Sequence, residues 1–139
     1  MLPLKIVLDT NCLLQSVSRR SLYSIVIDKL QKGAYELYLT NEIQLEYEEK
    51  ITDIFSKETA ELVLGAFALM QNVKKTEVYF KLNLISADDD DNKFVDCAFA
   101  CNVHFLVTND KHYNILKSVK FPAISVINLD KFAELIKEI

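Results

Sequence analysis

A chain of 139 residues, half of them hydrophobic, suffices for one domain with one sizeable core and is too short for two comfortable ones. Its formal net charge of −4 argues against a protein that coats nucleic acid through a broad basic surface, though not against an enzyme that meets nucleic acid at a local basic rim. Two glycines, two prolines and three cysteines supply neither flexible linkers nor a disulfide framework, so one domain over residues 1–139 in a reducing cytoplasm is expected.

Residues 4–8 (LKIVL) read as a buried first strand that meets a polar edge at Asp9-Thr10-Asn11. A helix follows from Ser21 as N-cap, with Leu22, Ile25, Val26 and Leu30 at helical spacing and Gly33 as the stop. Residues 35–40 alternate and are rich in aromatics, which predicts a second strand, and a helix runs from Asn41 to the neighbourhood of Phe55. The next helix begins near Lys57, and its stripe of Leu62, Val63, Ala66, Phe67 and Met70 is read as packing.

Residues 78–85 fit either a strand or an extended connection leading into Asp88-Asp89-Asp90-Asp91, after which a helix continues to about Cys101. Residues 105–108 form another buried strand ending at Asn109-Asp110. A short helix, a strand over 124–127 and a last helix from Asp130 complete the chain. Strands alternating with helices imply an α/β fold, a mostly parallel central sheet with helices on both faces. No apolar run is long enough to span a bilayer, so no membrane association is expected.

In open α/β sheets ligands bind beyond the carboxyl ends of the strands, and both Asp9 and Asp110 stand just past such ends. Each alone reads equally as a helix cap or turn residue. Asp91 changes the balance, because it shares the inward stripe of its helix with Phe94, Val95 and Ala98. Carboxylates brought together below the surface repel one another and persist when a cation neutralises them or a proton is shared. No arginine or lysine recurs near all three, so a hard divalent ion such as Mg2+ or Mn2+ is the expected partner.

Asp88, Asp89 and Asp90 fit a solvated loop that also complements a helix dipole. Asp96 lies off the inward stripe and is either a further metal acid or a surface charge. Periodicity does not choose among Glu42, Glu46, Glu48 and Glu49. His104 and His112 show no metal-ligand spacing and are set aside as bystanders, and Cys97 and Cys101 read as small buried apolar residues. A dehalogenase-like phosphatase wants a second aspartate two residues after the first, where Asn11 stands. A phosphoacceptor receiver would need a mid-chain acceptor aspartate and a late lysine, and neither is evident.

Taken in order, LDTNCLL, LTNEIQLEYEEKI and DDDDNKFVDCAFACNVHFLVTNDKHYNIL resemble the PIN-domain family, most closely its small VapC-like toxin branch. The resemblance implies four acids, Asp9, Glu46, Asp91 and Asp110, with Thr10, Asn11 and Thr108 supporting them. Asp9, Asp91 and Asp110 would be metal ligands and Asp96 a helper. It further implies Mg2+- or Mn2+-dependent cleavage of RNA, an antitoxin partner and a homodimer, with the helices over 22–30 and 43–55 divided between core and interface. Arg19, Arg20, Lys93 and Lys111 lie near these motifs and would contact phosphates. Asn102 and Asn109 stand where the family often has glycine, a tolerable departure because Asn accepts left-handed backbone. The competing expectation is a catalytically silent PIN-like module that binds RNA or protein.

Overall fold

The computed structural model describes residues 3–85, 89–120 and 123–139, so Asp88 of the acidic run lies outside the described residues. The centre of the molecule is β1 (Leu4–Leu8), in which Ile6, Val7 and Leu8 are all buried. Neighbouring residues on a strand point to opposite faces, so burial of all three means that both faces of the sheet are covered. The sheet is parallel throughout, with β1 flanked by β2 (Tyr35–Leu39) and then β3 (Val73–Lys75) on one side. On the other side stand β4 (Phe105–Val107) and β5 (Val126–Ile127). The chain walks outward from β1 to β3, then returns across β1 to start β4. That reversal leaves a crevice between the carboxyl ends of β1 and β4.

Between β1 and β2 the structure departs from the predicted single helix. A helix missing from that expectation, α1 (Thr10–Val17), begins directly after Asp9 and buries Cys12, Leu13 and Ser16. The next helix, α2 (Ile25–Gln31), starts after Ser24, and Ser21 is not its cap. Ser18 and Ser21 instead accept bonds from Arg20 N and Tyr23 N in local turns, which compete with helix and leave Leu22 92% exposed. Tyr35 donates to Val26 O at 2.6 Å and meets Phe132 edge to face, so α2 and the final helix, α6 (Leu129–Lys137), are tied to β2.

The helices α3 (Asn41–Ile54) and α4 (Lys57–Leu69) fall where the sequence predicts, capped by Thr40 and Ser56 side chains. The α4 stripe is only partly core: Phe67 is buried but Leu62 is 75% exposed. Edge strand β3 was not expected. Asn72, just before it, donates to Leu30 O and Tyr35 O and so fixes its start. The ambiguous stretch over 78–85 resolves as an extended connection outside the sheet.

A short 3-10 turn (Asp89–Asp91) leads into α5 (Asn92–Ala100), whose buried residues include Asn92, Phe94, Val95, Asp96, Cys97 and Ala98. It ends where Asn102 adopts a φ of 51°, the left-handed stop that Asn tolerates. Asn109 has no positive φ and instead accepts from Leu129 N at 2.9 Å. The predicted short helix after β4 is a 3-10 segment (Lys111–Ser118). All three cysteines are free. Among the described residues no helix is long and apolar enough to cross a membrane.

Candidate metal centre

Register brings the first two acidic segments together. Leu8 pairs with Val107, Asp9 N donates to Val107 O at 3.0 Å, and Asp9 therefore leaves the sheet beside Thr108. The Thr108 hydroxyl donates to Asp9 Oδ2 at 2.8 Å and accepts from Asp110 N at 3.0 Å, linking both aspartates through one side chain. Asp110 caps the following 3-10 segment by accepting from His112 N at 2.8 Å. That tight turn folds the imidazole back, so that His112 Nδ1 lies 3.1 Å from Asp91 Oδ2 and 3.5 Å from Asp110 Oδ1.

Asp91 arrives from the other side as the residue before α5, and its backbone carbonyl accepts from the buried Tyr113 hydroxyl at 3.2 Å. One ligand atom each from Asp91, Asp110 and His112 lies within 4.8 Å of the others, a spacing that can hold a metal ion. The donor set, two carboxylates and an imidazole, suits a divalent cation that accepts oxygen and nitrogen together.

Burial pushes the Asp9 carboxyl up to about 6; the Thr108 bond opposes this, and the charges of Asp91 and Glu46 add to it. No lysine or arginine forms an ion pair with Asp9 among the described residues. The Tyr113 phenol records the same crowding: burial raises its pKa first, and the charges of Asp9, Asp91 and Asp110 raise it further. The three aspartates singled out from the sequence thus occupy one electrostatic neighbourhood.

Tertiary contacts distinguish Glu46 from the other helix-α3 glutamates. Ile43, Tyr47 and Ile51 are buried, and Tyr47 donates to Leu8 O at 2.5 Å, pinning α3 to the end of β1. Glu46, beside Tyr47, accepts from the buried Thr10 hydroxyl and pairs with Lys93 Nζ at 2.8 Å, while Glu42, Glu48 and Glu49 are exposed. Asn11 points outward as an exposed residue of α1.

Asp96 stands apart from this group. Five residues along α5 from Asp91, it is turned well away on the helix, accepts from Leu82 N at 3.1 Å and feels Glu42 and Lys81. It is only 6% exposed, so it is not the surface charge offered as one alternative. Sequence reasoning missed His112. Its one available signal was its place two residues after a capping aspartate, where an Asx-type turn returns the ring toward the carboxylate. Lys93, expected to contact phosphates, also serves as the ion partner of Glu46.

The family model described as PIN domain matches residues 5–112, a span that includes every acid above and His112. The chain belongs to the PIN-domain family. Solved PIN-like structures share its fold at low identity. VapBC2 from Rickettsia felis, bound to a DNA fragment from its promoter, is 15% identical, with a TM-score of 0.59 over 90% of this chain and 98% of that one. PAE2754 from Pyrobaculum aerophilum is 15% identical, with a TM-score of 0.61 over 98% and 97%. The PIN domain endonuclease Utp24 is 16% identical, with a TM-score of 0.52 over 91% and 85%. No curated protein matches this PIN domain in sequence.

Proposed function

We propose that this PIN domain is a metal-dependent endoribonuclease that hydrolyses RNA phosphodiester bonds and serves as the toxin of a toxin–antitoxin pair in the cytoplasm. The observation that carries the reading is the Asp91, Asp110 and His112 donor group beside Asp9, a buried acid under repulsion from its neighbours, at the sheet's switch point. Asp91, Asp110 and His112 would hold Mg2+ or Mn2+, with Asp9 facing it from the end of β1. Such an ion, when bound, supplies Lewis acidity to the phosphodiester and to water.

The chain's own residues prepare that chemistry. Thr108 holds Asp9 in one orientation and fixes the backbone of Asp110, so two acids keep their relative position without substrate. Glu46, restrained by Thr10 and Lys93, is the second acid of the set. Lys93 gives the rim a positive charge for a phosphate. Asp96 is left out of the metal set because the ligand atoms that converge are those of Asp91, Asp110 and His112, and Asp96 is not among them. The VapBC complexes among the structural neighbours support an antitoxin partner, and the likeness to the PIN domain endonuclease Utp24 supports phosphodiester cleavage. A homodimer is part of the same reading, with Leu45 and Ile54 as exposed apolar contacts on α3.

The test is incubation of the purified chain with RNA in Mg2+, Mn2+ or EDTA, alongside Asp110→Asn. Cleavage is expected with either metal and in neither EDTA nor the variant. A thermal shift on adding metal, without cleavage of any RNA, would replace the enzyme with a silent binding module.

A further inference from the structure

A cavity of about 570 Å³ opens beside the metal centre, between the first turn of α3, the start of α5 and the extended connection over 76–85. Lys93 is the shared wall: it lines the cavity and pairs with Glu46 at 2.8 Å. The connection is pinned along its length. Thr76 N donates to Leu39 O at 2.8 Å, Phe80 packs edge to face on Phe99, Leu82 N donates to Asp96, and Ile85 exchanges two bonds with the Asn92 side chain. This fixed strap leaves Tyr79 86% exposed at the rim.

The lining chemistry narrows what can enter. Glu42, Glu77, Asp89, Asp90 and Asp96 outnumber Lys81 and Lys93, so a phosphate is repelled from the interior. Asp96 is the most enclosed acid of the cavity, and beyond the bond from Leu82 N its carboxylate takes no other hydrogen bond among the described residues. Because no fully buried side-chain polar atom is left without a partner among the described residues, and Asp96 lines the cavity, its remaining acceptor capacity opens onto that space. The site therefore suits a flat, neutral group with adjacent N–H donors and a face that stacks.

We propose that this cavity takes one unpaired guanine base of the RNA next to the cleaved phosphodiester, with Asp96 accepting from its N1–H and N2–H and Tyr79 stacking on it. This rests on the ribonuclease reading for its substrate class. Guanine alone among the RNA bases carries two adjacent donors on its Watson–Crick edge. Adenine and cytosine place an acceptor beside their amino group, and uracil flanks its single donor with two acceptors, all of which would face a carboxylate. The nearby metal centre would hold the phosphate, while the cavity reads the base.

The experiment is a titration of the full chain with guanosine, adenosine, cytidine and uridine, followed by NMR, paired with mapping of RNA cut sites. Guanosine is expected to shift the Tyr79, Lys81 and Asp96 amides and to bind about tenfold tighter than the others. Asp96→Asn, which keeps an oxygen to accept from Leu82 N, should erase that selectivity, and Tyr79→Ala should weaken every nucleoside. Equal binding of the four, no binding, or an Asp96→Asn protein that still prefers guanosine overturns the proposal. So does tighter binding of N-acetylarginine amide, which would mark the cavity as a seat for a partner protein's side chain. Guanosine selectivity without any RNA cleavage would instead sink the ribonuclease reading, whereas cleavage at sites with no fixed guanine would sink the base pocket.

Discussion

Glu46 and Asp9 stand at the same edge of the sheet, yet their surroundings treat them differently. Glu46 has a cation at 2.8 Å and a hydroxyl from Thr10, so its charge is balanced inside the protein. Asp9 has the Thr108 hydroxyl and no ion pair, lies 6% exposed, and feels two neighbouring acids. A carboxylate balanced by the chain serves position, whereas one left unbalanced under burial awaits a charge from outside. The contrast separates the part of the acidic edge whose charge the chain balances from the part where the proposed metal would supply the balance.

The largest effect should come from the unbalanced side. Asp91→Asn or Asp110→Asn removes a proposed direct ligand, and cleavage rates should fall by more than the roughly 10–100-fold typical of losing an outer partner of a metal site. Circular dichroism should show an intact fold. Either variant retaining wild-type cleavage would erase the distinction drawn between the two sides.

His112→Ala is the next test. With the imidazole gone but both carboxylates kept, metal affinity read by thermal shift or calorimetry should weaken about tenfold or more. An unchanged affinity would return His112 to the bystander role expected from the sequence.

Asp9 sharpens the comparison through stability. Its folded carboxyl sits at about 6 against an ordinary 3.8, so between those pH values the folded chain holds the proton that the unfolded chain has released. Raising pH through that window therefore favours unfolding. At neutral pH the cost in the metal-free protein is on the order of 3 kcal/mol. Asp9→Asn should accordingly raise the neutral-pH Tm of the metal-free protein, flatten its decline from about pH 4 to 6, and reduce stabilisation by Mg2+. Denaturation across that range with and without metal checks all three, and a variant less stable than wild type at pH 7 would contradict the electrostatic account.

The smallest effect belongs to the balanced side. Lys93→Met removes a largely buried ion partner, and Glu46 keeps Thr10 and its access to water, so a stability loss of about 1 kcal/mol is expected. Cleavage should drop severalfold, far less than for the aspartates. A collapse of activity equal to that of Asp110→Asn would mean that Lys93 belongs to the reacting group.

Much of the fold was legible because strands and helices leave periodic marks. The LKIVL run, the aromatic alternation before Thr40 and the stripe through Phe94, Val95 and Ala98 each gave an element near its observed place. The errors cluster where local chemistry competes with the pattern. The segment from Thr10 to Ser24 carries a helix that was not expected and a serine-rich turn that holds back the start of the next one to Ile25. The three residues of β3 are too few to show any period. At the site, the aspartates were legible from their position after strands or on an inward face. The partners that give them meaning were not: His112 meets Asp91 from 21 residues away, and Thr10 meets Glu46 from 36.

By itself the sequence determined that the central strands are buried and where β1 and β4 stop, because both follow from short-range spacing of apolar residues. It thereby placed Asp9 and Asp110 at strand ends and turned Asp91 inward. Only the tertiary structure decided which acid acquires a cation, which way Asp96 faces and that an imidazole joins two carboxylates. Those outcomes depend on strand order and on the angle at which α3 and α5 cross the sheet edge, quantities that no local period encodes.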